Sequence, residues 1–193
     1  MREKHEYFMQ KVNNGVSLPI KIAAISAFTE GLALFSSFIM LLNFPRHGKM
    51  KGMGQIITWS IVDETMHTEA MIRIFRKLVE EDRGLWNDET KGQIYSICEK
   101  MVELEDKFID LSFQMGSIKG LRGDEVKQYI RYIADRRLIS MGMKGIFKVK
   151  RNPLPWVETL INAPIHTNFF ENRSTDYAKG ALTGNWQEIW GEA

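Results

Sequence analysis

The chain has 193 residues, 44% of them hydrophobic, with five prolines and a net charge of +2. That length and apolar content suit one domain with a sizeable core, and the abundance of Leu, Ile, Met, Lys and Glu favours helix over sheet. Mixed charges leave no nucleic-acid surface, since the basic run Lys148-Val149-Lys150-Arg151 is only a short solvated turn.

Residues 2–13 read as an exposed helix ending near Asn13-Asn14-Gly15. Ser17-Leu18-Pro19 starts the next, with Ser17 near the N-cap and Pro19 in the first turn. This helix is expected to run unbroken to about Asn43, where Phe44-Pro45-Arg46-His47-Gly48 breaks it. Gly31, Ala33, Ser36 and Ser37 are small and let neighbours come close beside Glu30. A long helix follows, from about Met50 to Glu81, with Ile56, Ile57, Trp59, Ser60, Asp63, Glu64, His67, Met71 and Phe75 expected inward. Asn87 or Asp88 caps another, reaching about Met115 on a stripe of Ile94, Ile97, Cys98, Met101, Leu104, Phe108 and Leu111. Asp124 is the expected cap of a helix to about Met141. Arg151-Asn152-Pro153-Leu154-Pro155-Trp156 is a rigid connector before a last helical turn.

From about Ala163 the periodicity ends, and residues 163–193 read either as a polar tail with spaced aromatics that orders on a partner or as a frayed terminus. The helical body is then 1–162. Cys98 excludes an internal disulfide and fits a reducing compartment. The charged opening Met1-Arg2-Glu3-Lys4-His5-Glu6 is unlike a signal peptide, so a cytoplasmic location is expected. Ile22 to Phe44 is apolar enough to be mistaken for a membrane span. Glu30 lies within it, at a cost of roughly 2.5–3.5 kcal/mol in a bilayer, so a buried helix of a soluble bundle is expected.

That same Glu30 is the first candidate for chemistry. A carboxylate inside an apolar helix must be paired with a cationic side chain or bind a metal. Glu64 and His67, three residues apart, share a helix face. They are either metal ligands or a surface pair. Asp63 lies four residues before His67 and could hydrogen-bond its ring from behind. A lone Glu plus a Glu-x-x-His is half of the di-metal carboxylate set of a ferritin-like bundle, which uses two of each. Carboxylates with one imidazole per metal suit iron or manganese better than zinc or copper.

Several segments resemble one family. They are Phe28-Thr29-Glu30-Gly31 with Phe35-Ser36-Ser37-Phe38, then Ile61-Val62-Asp63-Glu64-Thr65-Met66-His67, then Tyr129 through Leu138. Asn152-Pro153-Leu154-Pro155-Trp156 and the stretch from Asn168 to Tyr177 complete the set. Together they resemble the small, radical-generating subunit of class I ribonucleotide reductase. The resemblance implies an all-α, ferritin-like fold and an oxidoreductase that uses dioxygen at a di-iron, di-manganese or mixed centre. Its oxidant would drive reduction of ribonucleotides to deoxyribonucleotides on a separate catalytic subunit. It implies Glu30, Glu64 and His67 as metal ligands and Asp63 as the aspartate linking the site to a radical-transfer route. Leu34, Phe38 and Ser60 would line the pocket around the radical. Tyr177 would relay the radical to the large subunit, assisted by Glu171, and the last residues from Trp186 would dock there.

The match covers only the C-terminal half of the family's chain. An aspartate, a second Glu-x-x-His and the radical-bearing tyrosine or its substitute are not found at a suitable spacing. The expected partners are therefore a separate N-terminal half, the large subunit, and a second copy of the assembled small subunit, with neither nucleic acid nor membrane. Two other readings stay open on the residues. One is a homodimeric di-metal oxidase or metal-storage protein; the other is a metal-free helical interaction module.

Overall fold

In a computed structural model the protein is described over residues 2–13, 16–114 and 116–161, with backbone alone at 11–13. The elements are α1 (Arg2–Asn13), α2 (Leu18–Ile22), a π-helical segment (Ala23–Glu30), α3 (Phe35–Arg46), α4 (Lys51–Glu81), a short 3-10 turn (Arg83–Leu85), α5 (Asp88–Gln114), α6 (Gly123–Ser140) and α7 (Pro155–Ile161). The described residues form no named β-strand, so the fold is the expected all-α one. The π segment sits at its centre and touches α1, α2, α4, α5 and α6. Ala27, Phe28, Leu32, Ile39, Ile94, Ile130 and Leu138 are fully buried around it. The apolar stretch Leu18–Arg46 is long and apolar enough to cross a membrane, yet 56% of its most apolar 18-residue window is buried inside this core.

The unbroken helix expected over 17–43 is the main correction. Side-chain hydroxyls intervene: Ser26 Oγ donates to the Ile22 carbonyl at 2.7 Å, and Thr29 Oγ1 to the Ala24 carbonyl, five residues back, at 2.9 Å. Gly31 N–H reaches the Ser26 carbonyl at 2.8 Å, again across five residues. The widened turn hands the Ser26 carbonyl a second partner, the Thr68 hydroxyl of α4, at 3.3 Å. Local widening of this kind re-aims the residues at its end, and that end is Glu30.

Gly31 closes the segment where side chains converge. A Cβ there would lie 2.7 Å from the Ala27 carbonyl, 2.8 Å from Arg137 Nε and 2.9 Å from the Ser26 carbonyl. Two of these are backbone atoms that cannot swing aside. Gly31→Ala is therefore expected to cost about 1–3 kcal/mol, read as a lower denaturant midpoint at unchanged slope. An unchanged midpoint would mean the turn relaxes freely.

Pro45 does not break α3 where expected. It lies inside the last turn, and the helix ends one residue later, at Arg46. The ring also packs on α4: a Cβ on Gly54 would come within 2.5 Å of Pro45 Cγ. At the start of α5 the cap is Asn87, whose Oδ1 accepts from Thr90 N–H at 2.9 Å. At α6 the cap position is Arg122 rather than Asp124, and Glu125 accepts from Arg122 N–H at 3.0 Å.

The inward face of α4 also differs. Its buried stripe is Ile61, Thr68, Ile72 and Phe75. Ile56, Asp63 and His67 are exposed, as are Val62, Met66 and Ile74. The helix is apolar on two sides, and these elements cover only one of them.

Candidate metal centre

Glu30 comes from the end of the π segment; Glu64 and His67 come from the middle of α4. One ligating atom from each lies within 4.8 Å of the others. Glu30 and Glu64 are half-buried and His67 is exposed. Two residues 34 positions apart, Glu30 and Glu64, are thus brought together by the antiparallel return of the chain through α3 into α4.

The imidazole has one nitrogen toward each neighbour. His67 Nδ1 lies 3.9 Å from Glu64 Oε2, and Nε2 lies 3.6 Å from Asp63 Oδ1. The i+3 and i+4 spacings on one helix produce this directly. Asp63 thus stands behind the ring, on the side away from Glu64, where it can hold the tautomer that leaves Nδ1 free for a cation.

Charge balance at the site is unusual. Among the described residues no Lys or Arg lies within ion-pair distance of Glu30 or Glu64. Desolvation, then the neighbouring Glu30 carboxylate, raises the Glu64 pKa, against the pull of His67. A divalent cation would answer both effects, and two carboxylates with one imidazole make a donor set that fits iron or manganese.

The sign of the Glu64 shift makes a pH prediction. A ligand must be deprotonated to bind metal, so manganese(II) affinity should fall as pH drops through the raised Glu64 value, above the ordinary carboxylate range. Without metal the sign reverses. The raised folded-state pKa contributes stability below the unfolded value and loses it as pH rises through the folded one. Manganese titrations and melting curves across the acidic range check both; an affinity flat with pH would contradict the first.

Phe38 is buried and meets Phe35 edge-on, with ring centroids 5.8 Å apart, while Leu34 and Ser60 are half-buried. Cys98 is fully buried, and burial pushes its thiol pKa up, as a core residue requires. Tyr177, Glu171 and Trp186 lie outside the described residues. Sequence reasoning missed Glu105, a fully buried carboxylate on α5 that accepts from the Ser36 hydroxyl and the Lys4 ammonium. It also missed Asp135, buried on α6, which accepts from Phe147 N–H at 2.9 Å and Val149 N–H at 3.1 Å and so pins the loop after the helix. A charged residue on an apolar helical stripe was the available signal for Glu105.

Comparison with known proteins agrees with this geometry. A family model described as "Ribonucleotide reductase, small chain" matches residues 1–153. The "Probable ribonucleoside-diphosphate reductase small subunit 048L" of Invertebrate iridescent virus 3 is 56% identical over 170 residues, covering 88% of this chain and 45% of that protein. The ribonucleoside-diphosphate reductase subunit beta of Chlamydia pneumoniae is 38% identical over 148 residues, covering 77% and 42%. The ribonucleotide reductase R2 subunit from Clostridium botulinum shares the fold, with a TM-score of 0.74 at 20% identity, over 83% of this chain and 52% of that one. The chain thus spans about half the length of the curated relatives it matches. Its helical architecture, the convergence of Glu30, Glu64 and His67, and a family match over most of its length lead to one assignment: this chain belongs to the ribonucleotide reductase small-chain family.

Proposed function

We propose that this chain supplies half of the di-metal carboxylate site of a class I ribonucleotide reductase small subunit. The observation that carries this reading is the meeting of Glu30, Glu64 and His67 within 4.8 Å, with no cationic side chain paired to either carboxylate. Glu30 and Glu64 hold the negative charge that attracts the cation. His67 offers Nδ1, and Asp63 behind it fixes the ring. When bound, the metal pair supplies redox chemistry with dioxygen, producing the oxidant for ribonucleotide reduction on the large subunit.

The remaining ligands come from a second polypeptide segment corresponding to the family's N-terminal half. Support comes from α4, whose uncovered side carries Ile56, Val62, Met66 and Ile74 around Asp63 and His67. Exposed apolar side chains beside candidate ligating groups favour a cover, both to remove their area from water and to dry the site. The cover would be that segment, and the assembled subunit would pair as a dimer. In this reading residues 163–193 are a tail docking on the large subunit, with Tyr177 and Glu171 in the radical route. The buried free thiol of Cys98 fits a cytoplasmic location.

The experiment is metal content with native mass, on the chain alone and with a polypeptide carrying the missing ligands. The expected result is little iron or manganese alone and two metals per heterodimer. A lone homodimer holding two metals would instead favour a self-completed oxidase or storage protein. Absence of metal from both preparations would leave a helical interaction module.

A further inference from the structure

A second polar feature lies between α4 and α6, and none of its lining residues is Glu30, Glu64 or His67. It is an open cleft of about 530 Å³ that gathers Arg73 and Arg76 from α4 and Arg136 and Arg137 from α6. The α4 side is periodic: Glu69, Ile72, Arg73 and Arg76 fall at i, i+3, i+4 and i+7, so they share one face. Arg136 and Ser140 are four apart on α6 and face it.

The charge in this cleft is not balanced. Four guanidinium groups face one carboxylate, Glu69, and among the described residues none of the four has a carboxylate within ion-pair distance. The Arg136 guanidinium lies 5.9 Å from the Tyr132 ring, a contact that leaves its N–H donors available. Arg137 is half-buried; its Nε donates to the Gly31 carbonyl at 3.0 Å and its plane lies over Phe35 at 5.6 Å. Burial lowers the Arg137 pKa from the ordinary guanidinium value, against the pull of Tyr129 and Glu69. Like charges gathered without counter-charges repel one another and attract anions. Guanidinium forks match phosphate oxygens two at a time. The cleft volume falls in the range of small-molecule sites, and Ile72 and Ile139 add apolar wall.

We propose that the α4–α6 cleft binds a polyphosphate, either free or as the phosphate end of a nucleotide. Arg73, Arg76 and Arg136 clasp the outer oxygens and Arg137 meets the deepest. This site stands independently of the metal reading, because it shares no ligating residue with it.

The test is calorimetric titration of the 193-residue chain with inorganic triphosphate, ATP and adenosine at constant chloride. Triphosphate and ATP should each bind one to one, and adenosine should not. The double variant Arg73→Ala, Arg76→Ala should weaken both by about tenfold to a hundredfold. The charge-matched control Lys49→Ala, Lys51→Ala, at two exposed lysines near the start of α4, should change neither more than about twofold. Tighter ATP than triphosphate identifies a nucleotide, and equal affinities identify the phosphate chain alone; both support the site. Equal effects from the two double variants, no heat with triphosphate, or loss of binding when the completing polypeptide is added would overturn it.

Discussion

Glu30→Leu, in the chain assembled with the N-terminal segment proposed above to complete the site, is expected to lower iron or manganese affinity by at least about a hundredfold. Losing a residue that merely orients a ligand already costs about 10–100-fold, and Glu30 is proposed as a ligand itself. The same change should leave the metal-free chain equally stable or more stable. It removes a carboxylate whose charge raises the Glu64 pKa and puts an apolar side chain at the end of an apolar segment. The two readouts therefore move apart. Atomic absorption and a urea melt of the same preparation measure them. A variant that keeps its metal, or that loses several kcal/mol without metal, would show Glu30 to be a structural residue.

The second large effect lies away from the metal ligands. Glu105 is fully buried on α5, where Lys4 of α1 and Ser36 of α3 both donate to it. Glu3 and Lys107 add a 2.9 Å ion pair on the rim, and Lys4 also sits 4.4 Å over the Phe108 ring. Glu105→Ala leaves the Lys4 ammonium, 12% exposed, and the Ser36 hydroxyl without their partner. Breaking a buried pair in this way costs about 3–5 kcal/mol. The expected result is a large fall in the denaturant midpoint, with early proteolysis at α1. The double variant Lys4→Met, Glu105→Leu should recover much of the loss, since matched apolar residues replace both charges. Failure of that recovery would assign the cost to packing rather than to charge.

Burial raises the Glu105 pKa despite the opposing pull of Lys4 and Ser36. By linkage, this group adds stability as pH falls from its raised folded-state value, and the gain is complete below the ordinary carboxylate range. The Glu105→Gln variant should lose that slope while keeping the Ser36 hydrogen bond. A melt series in acid checks it.

Much of the helical order is local and so could be read residue by residue. Asn87 as a cap, the buried stripe of Ile94, Ile97, Cys98, Met101 and Leu104, and Pro155 at the start of α7 all act within a few residues of themselves. The metal-site candidates were also legible, because Glu64 and His67 carry their geometry in an i+3 spacing and Glu30 is conspicuous among apolar neighbours. Their convergence, however, depends on α3 and α4 folding back on each other, which no local pattern dictates.

The π segment shows the opposite case. Ser26 and Thr29 are ordinary helix residues by composition; the second hydrogen bond that the Ser26 carbonyl of the widened turn accepts comes from Thr68, on another helix. The outward face of α4 was misjudged for a related reason. A helix apolar on two sides does not say which side its own chain will cover. The partners of Glu105 and of the arginine cleft were not legible because each draws them from elements far apart in the chain. The sequence by itself determined most of the helices and the types of the candidate ligating residues, through interactions spanning a few positions. Only the tertiary structure decided which carboxylates meet, which are buried with a cation and which charges remain unpaired, because these depend on helix-to-helix packing.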